Sequence, residues 1–325
     1  MSKTTQRCDL HLHTRYSAWK HLRVLRARDS YSDPVEVFER ARAAGMDFVA
    51  ITDHESIEGA LRLLEARPDA AGRLIVGEEV ETRFPETRQW VHVNVFGLDE
   101  EAHREVQRLR PNVHELVGYL RSRGLLHVLN HPFLSFRFQT PLQAYVEAIL
   151  ALFDHFEAGN STLAPAHAAA TEAMLAYARS LGLKKAAVGG SDAHVPDHAG
   201  SSFSEAPGAT PQAWLASVAR GDCSYHTRPI GFPSLLSQVY RAIGRYYAEM
   251  RLPSERAGMN PVNYLAAAAL LPGAVLGVPA LLTFLNEARQ RVVAGLVCRS
   301  LERSLEAAPA EIGTLDAAES PRTAL

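Results

Sequence analysis

Seven short runs rich in Val, Ile, Leu and Phe alternate along this chain with segments whose apolar residues recur at helical spacing. The runs are Arg7–His11, Asp47–Thr52, Leu74–Val80, Trp90–Val95, Leu125–Asn130, Leu152–Glu157 and Ala186–Gly190. Between them lie the amphipathic segments Val35–Ala44, Glu100–Arg110, Val113–Arg123 and Ala168–Leu181. Gly45, Gly124 and Gly182 stand where helix C-termini favour a left-handed residue. Such alternation predicts parallel strands joined by right-handed crossovers, and seven units suffice to curl a sheet into a barrel. The expected fold class is α/β, a barrel of seven strand–helix units with a C-terminal helical extension.

At 325 residues the chain has room for one barrel and an appendage. The expected division is a barrel over 1–228, a helical extension over 229–305, and a disordered tail over 306–325, rich in Ala, Glu and Pro. A formal charge of −2 and the lack of a basic stripe interleaved with aromatics argue against a protein that binds long nucleic acid. Cys8, Cys223 and Cys298 are far apart in sequence and form no C-x-x-C pattern, so they read as reduced thiols. With no secretory pattern at the first residues, the expected location is cytoplasmic.

The polar residues at the ends of the runs carry the chemistry. The first run finishes at His11 and His13, which share one face of a strand, with Asp9 behind them as an outer acceptor. The second leads into Asp53 and His54, the third ends Gly77-Glu78-Glu79, and the fourth carries His92. The fifth runs into Asn130-His131-Pro132, the sixth into Glu157 with Asn160 beyond, and the seventh into Ser191-Asp192-Ala193-His194. One histidine beside a strand is usually a packing matter. Seven strands that each deliver an imidazole or a carboxylate towards the end where barrel active sites form describe a metal site.

With these motifs in hand, the chain resembles the PHP (polymerase and histidinol phosphatase) family of metal-dependent, amidohydrolase-like phosphoesterases. The resemblance covers about residues 7–195. It rests on the D-x-H-x-H of Asp9–His13, the I-T-D-H of Ile51–His54, the G-x-E of Gly77–Glu79, His131-Pro132 and the S-D-x-H of Ser191–His194. It implies a distorted (β/α)7 barrel of PHP type holding two or three divalent Zn, Mn or Fe ions. Carried over by motif, His11, His13, Glu79 and Asp192 hold a first ion. Glu79 bridges to a second completed by His92 and His131, and His54 with His194 point to a third. Asp9, Asp53 and Glu157 stand behind the ligands. The implied reaction is hydrolysis of a small or nucleotide-like phosphate ester by a metal-bridged hydroxide, with Asp192 or His194 moving the proton.

The chain departs from the family pattern after His13-Thr14, where an insertion runs to Ser32 and leaves the third ion without an evident ligand; His21 is a substitute, although a solvated loop histidine fits as well. Arg15 and Arg137 are the candidates for gripping phosphate, because a guanidinium matches its oxygens two at a time. Lys20, Arg23, Arg26 and Arg28 belong to the insertion, as a lid or as a solvated basic loop. Glu78 falls on the strand face opposite Glu79, and His103, His114, His155, His167 and His226 lack partners at ligand spacing.

Two other functions fit the same residues. A metal-dependent C–N hydrolase would use the same hydroxide on a carbonyl, and a non-catalytic metal-stabilised scaffold would need no turnover at all. Beyond the barrel, no charged residue occurs between Arg256 and Glu287, and Pro272-Gly273 and Gly277-Val278-Pro279 break that apolar run in two. Helices buried on the barrel or on a second subunit are one expectation. Because residues 229–305 hold eight arginines and four glutamates, peripheral contact with an anionic membrane through residues 230–305 is the other.

Overall fold

The computed structural model describes residues 5–17, 25–138, 140–252 and 259–307. The first half of the chain runs β1 (Thr5–Asp9), α1 (Pro34–Ala43), β2 (Phe48–Ile51), α2 (Glu58–Ala66), β3 (Leu74–Arg83) and β4 (Trp90–Phe96). It continues through α3 (Glu100–Leu109), α4 (Val113–Ser122), β5 (His127–Asn130), α5 (Leu142–Leu152), β6 (His155–Asn160), α6 (Pro165–Ser180) and β7 (Ala186–Gly190). The remainder is β8 (Ser202–Pro207), α7 (Pro211–Ala219), β9 (Ser224–Thr227), α8 (Gly231–Glu249), α9 (Pro261–Val275) and α10 (Val278–Ala307).

All seven strands read from the apolar runs are present, and β2, β5 and β6 are buried along their whole length. That is the environment in which a parallel strand needs apolar residues on both faces. Helix α1 starts as Ser32-Asp33-Pro34 suggests: Asp33 accepts from the amides of Val35 and Glu36, and Pro34 occupies the first turn. Cores form on both sides of the sheet. Val37, Phe38 and Leu63 of α1 and α2 pack on Val49 and Ile51 of β2. A second group joins Cys8, Phe48, Ala50, Ile75, Val128 and Val188 to Trp214 of α7.

The nine strands of the described residues form one sheet in the order β7-β6-β5-β4-β3-β2-β1-β8-β9. Its two ends meet, with β7 against β8 and β9, so the sheet is a nearly closed barrel. Serine hydroxyls bridge the seam. Ser204 Oγ accepts from the Gly189 amide at 2.8 Å and donates to its carbonyl at 3.1 Å, while Ser202 Oγ donates to the Gly159 carbonyl at 2.9 Å. The approach requires glycine: a Cβ on Gly189 would stand 2.8 Å from the Phe203 carbonyl oxygen, and one on Gly190 would stand 2.4 Å from the Cβ of His11. A side chain at the end of β7 would therefore displace the first histidine of the site.

Two expectations need correction. The strands are not uniformly parallel, because β4 runs antiparallel to both β3 and β5. The six residues between β3 and β4 are too few for a crossover helix, so the chain turns straight back. Residues 221–229, inside the expected barrel but beyond its seven apolar runs, contain β9, which pairs antiparallel with β8, itself antiparallel to β1. Those pairs complete the barrel on the side that the seven apolar runs leave open.

The C-terminal helices attach in different ways. Val293, Ala294, Val297 and Leu301 of α10 are buried in the same apolar core as Ala170, Met174 and Ala178 of α6. Burial of each Val, Leu or Met side chain there contributes on the order of 1.5–3 kcal/mol. Helix α8 is held by polar contacts: Tyr246 donates to the Leu25 carbonyl, His198 Nδ1 lies 2.8 Å from Gln238 Oε1, and Arg241 pairs with Asp197. Helix α9 and the first half of α10, by contrast, leave most of their aliphatic side chains in solvent. The tail expected to be disordered lies, from residue 308 onward, outside the described residues.

Candidate metal centre

Backbone pairing carries the strands past their ends and into the polar motifs. The amide of Asp192 donates to the His11 carbonyl at 2.8 Å, and that of His13 to the Ala193 carbonyl at 3.1 Å, so the first and last motifs are stitched together. The amide of Glu79 donates to the Asp53 carbonyl at 3.1 Å, which brings the second motif beside the third. His92 is the third residue of β4 and so lies near its N-terminal end. Because β4 is reversed, that end opens on the same mouth as the C-terminal ends of its neighbours.

One carboxylate lies at the middle. Ring nitrogens of His11, His13 and His54 approach Glu79 Oε2 to 3.2, 3.4 and 3.1 Å, and those of His92 and His131 approach Oε1 to 3.2 and 3.1 Å. Asp192 Oδ1 lies 3.5 Å from His11 Nε2 and 3.3 Å from His13 Nε2. His194 Nδ1 is 3.6 Å from the same oxygen. Charge accounts for the resulting acidities. Burial alone would raise the Glu79 carboxyl, but the imidazoles of His11, His54 and His92 outweigh it and hold it well below the usual range. Burial works against the charged form of His11 as well, yet Glu79, Asp192 and Glu157 raise its pKa well above the ordinary value.

His11 Nε2, His13 Nε2 and His92 Nδ1 are buried without a hydrogen-bond partner among the described residues. Orphaned donors or acceptors in a dry site are costly unless an ion engages them. The N···O separations also fit: two ligand atoms about 2.1 Å from one ion at a tetrahedral angle are about 3.4 Å apart. Among the described residues, four groups of ligand atoms are compact enough to hold an ion, namely His11–His13–Glu79, Glu79–His92–His131, His11–His131–Asp192 and His13–Asp29–His54–His194.

The last group contains a residue the sequence reading passed over. Asp29, from the insertion, is buried with Oδ2 3.1 Å from His54 Nε2 and 3.4 Å from His194 Nε2. Burial opposes its ionisation, but His194 and His54 prevail and keep the carboxyl well below the usual range. Hydroxyls fasten the insertion to the barrel. Ser30 Oγ donates to the carbonyls of His13 and His194 at 3.2 and 3.0 Å, and Ser32 Oγ to that of His194 at 3.1 Å. The supposed gap beside His54 and His194 is therefore filled by a carboxylate, and His21 lies outside the described residues, as do Lys20 and Arg23.

The outer residues divide. Glu157 Oε1 lies 2.7 Å from His11 Nδ1, and its Oε2 accepts from the His131 amide at 3.1 Å and from Asn160 Nδ2 at 2.9 Å. Asp9 instead takes the backbone amides of His11, Ser191 and Gly200, and Asp53 takes the amide and hydroxyl of Thr14. These two buttress the main chain rather than an imidazole ring, and burial raises each carboxyl to about 6 despite its hydrogen bonds. Ser17, also passed over, lies 3.1 Å from His13 Nδ1 and accepts from the His54 amide at 2.9 Å. Asn130 donates to Glu79 Oε1 at 2.9 Å.

Two ligand-bearing residues hold left-handed backbone, His131 at φ 28° and Asp192 at φ 56°. Non-glycine residues occupy that region at a cost of about 1–3 kcal/mol each, which the amide bonds to Glu157 and to the His11 carbonyl help offset. The phosphate-gripping candidates are placed differently. Arg15 lies 3.4 Å from Glu249 of α8, and Arg137 is exposed, with its amide donating to Gln89 Oε1 at 3.0 Å. Glu78 faces away from the cluster, as expected, and is bonded by His103 and Gln107.

A barrel whose mouth gathers imidazoles and carboxylates into groups able to bind metal defines a metal-binding α/β-barrel protein. The chain belongs to the PHP family: the PHP domain matches residues 9–187, more than half of it. An uncharacterized protein of Methanocaldococcus jannaschii is 28% identical over 127 residues, which is 39% of this chain and 68% of that protein. An error-prone DNA polymerase of Cutibacterium acnes is 26% identical over 129 residues, 38% of this chain but only 10% of the polymerase. Among solved structures, a two-domain protein from Bacteroides vulgatus, described as containing a predicted PHP-like metal-dependent phosphoesterase, aligns with a TM-score of 0.49 at 17% identity. That alignment covers 74% of this chain and 70% of the other.

Proposed function

We propose that this protein is a metal-dependent phosphoesterase that hydrolyses a small or nucleotide-like phosphate ester. The observation that carries this reading is the convergence of five imidazoles on the single carboxylate of Glu79, at 3.1–3.4 Å. Membership of the PHP family favours phosphorus over a carbonyl carbon as the point of attack. His11, His13, Glu79 and Asp192 would hold one ion, and Glu79, His92 and His131 a second. Asp29, His54 and His194 would hold a third. Mixed imidazole and carboxylate donors suit Zn, Mn or Fe better than Mg or Ca. When bound, such ions polarise phosphoryl oxygens and lower the pKa of nearby water.

The chain's own residues then divide the work. Asp192 is placed to accept a proton from the attacking water, with Oδ2 held by Asn160 at 3.1 Å and by Thr162 at 3.2 Å. The proton taken by Asp192 returns to the leaving alkoxide as the phosphorus–oxygen bond breaks, while His194, with Nδ1 2.9 Å from the Asp192 carbonyl oxygen, keeps Nε2 towards Asp29. Glu157 fixes the ring of His11 from behind, and Ser17 that of His13, so both keep Nε2 directed at the cluster. The test is a panel of phosphate monoesters, diesters, amides and lactones, offered to protein loaded with Mn or Zn. Phosphate-ester cleavage is the expected result, and hydrolysis confined to amides or lactones would sink this reading.

A further inference from the structure

Helix α9 and the start of α10 meet at a bend of 72°. The corner between them is Val275-Leu276-Gly277-Val278, where Val275 is 78% and Leu276 83% exposed, the most exposed large apolar side chains among the described residues. Behind the corner, Val262, Leu265, Leu270 and Leu271 of α9 are exposed, as are Leu281, Leu282, Phe284 and Leu285 of α10. No charged residue interrupts the stretch between Arg256 and Glu287. A soluble monomer seldom leaves a continuous apolar surface of this kind in water.

The distribution of these side chains says what covers them. A helix that docks on a protein keeps one apolar stripe and is polar elsewhere. In α9 the exposed apolar residues lie on all sides except the strip marked by buried Asn263 and Ala267. Apolarity nearly all round suits hydrocarbon. Lipid favours chain whose amides are bonded internally, and several at the corner are. Around the corner the Leu276 amide donates to the Pro272 carbonyl at 2.9 Å, and the Leu281 amide to that of Gly277 at 3.0 Å. Thr283 Oγ1 bonds the Pro279 carbonyl within its own helix at 2.8 Å, and Asn260 and Asn263 cap each other.

Length sets the depth. No single described helix is long and apolar enough to cross a membrane. The fifteen residues of α9 span about 22 Å, short of a hydrocarbon core about 30 Å thick. The flanks match a lipid surface. Tyr240 and Tyr247 of α8 reach α9, donating to the carbonyls of Ala274 and Ala267. Arg245, Arg251 and Arg291 are exposed, Arg291 pairing with Glu287 at 3.1 Å. Over residues 229–305 eight arginines face four glutamates, which complements anionic headgroups.

We propose that the corner of α9 and α10 inserts as a wedge into one leaflet of an anionic membrane, with the barrel held at the surface. The test is flotation of the full-length protein with vesicles of phosphatidylcholine mixed with phosphatidylglycerol, and with phosphatidylcholine alone. The protein should float with the anionic vesicles, more weakly as salt rises. The double variant Val275→Glu with Leu276→Glu should bind about tenfold less or worse, while its circular dichroism and metal content stay unchanged because neither side chain packs on the barrel. Light scattering without vesicles tests for a second copy of the chain, and a monomer is expected. Wild type that stays at the bottom overturns the wedge, as does a double variant that floats equally well. A dimer that the two glutamates break apart, with no vesicle binding by wild type, assigns the surface to a second copy instead.

Discussion

Glu157 holds Nδ1 of His11 at 2.7 Å from a position 146 residues further along the chain. That contact leaves Nε2 of the same ring facing Glu79 and Asp192. Glu157→Gln keeps the shape but weakens the acceptor that orients the ring and raises its basicity. Metal affinity should fall about 10- to 100-fold, the range for residues that support a ligand from behind. Titration with a competing chelator measures it. Unchanged affinity in the variant would remove Glu157 from the site.

Asp29 is the carboxylate of the group with His54 and His194. Asp29→Asn should lower the ion content of purified protein, and Glu79→Gln should lower it further because Glu79 is shared between groups. Elemental analysis of wild type and both variants, prepared in parallel, provides the readout. Equal metal content in Asp29→Asn and wild type would refute a ligand role for the insertion.

Asp192 contributes one oxygen to the cluster, and Asn160 and Thr162 hold the other. Asp192→Asn removes a ligand charge and a proton acceptor together. On whichever phosphate ester the wild type cleaves, kcat should fall on the order of 10²-fold or more. Turnover at the wild-type rate would exclude the role proposed for this carboxylate.

His167 of α6 is buried against Phe133, and its Nε2 has no hydrogen-bond partner among the described residues. Burial, reinforced by His131, depresses its pKa to about 3. An unfolded chain binds a proton at this residue below about pH 6.5, whereas the folded chain refuses it until near pH 3. Stability is therefore intact above about pH 6.5 and declines as the pH falls towards 3. His167→Phe removes that contribution, so at about pH 5 the variant should gain about 2 kcal/mol on wild type relative to their difference at neutral pH. Urea unfolding of both proteins at the two pH values is the check. Parallel losses would show that His167 is not the titrating group.

Much of the barrel and most of the cluster were legible from local pattern. The apolar runs at 47–52, 74–80 and 186–190 read as strands because β-rich segments bounded by turn signals favour little else, and their polar ends come to one mouth if the strands are parallel. The reversal of β4 was not legible, since strand direction depends on how the chain turns between Arg83 and Trp90. His92 still reaches the mouth because reversal moves its strand's N-terminal end there.

By itself, then, the sequence determined the alternation of strands and helices and the histidines and acids at the strand ends, because both are properties of neighbours in the chain. Tertiary structure alone decided that Asp29 joins His54 and His194, that Ser17 and Glu157 set the rings of His13 and His11, and that Asp9 and Asp53 brace the backbone. Each of those contacts depends on where a loop is fastened, and hydroxyls such as those of Ser30 and Ser32 fasten it at distances no spacing rule encodes. Tertiary structure also decided the fate of the apolar stretch after Asn260. Composition made it suitable for a core or a bilayer, and only the tertiary structure shows that α10 is buried on α6 beyond Glu287 while the corner at Leu276 and the aliphatic side chains on either side of it stand in the open.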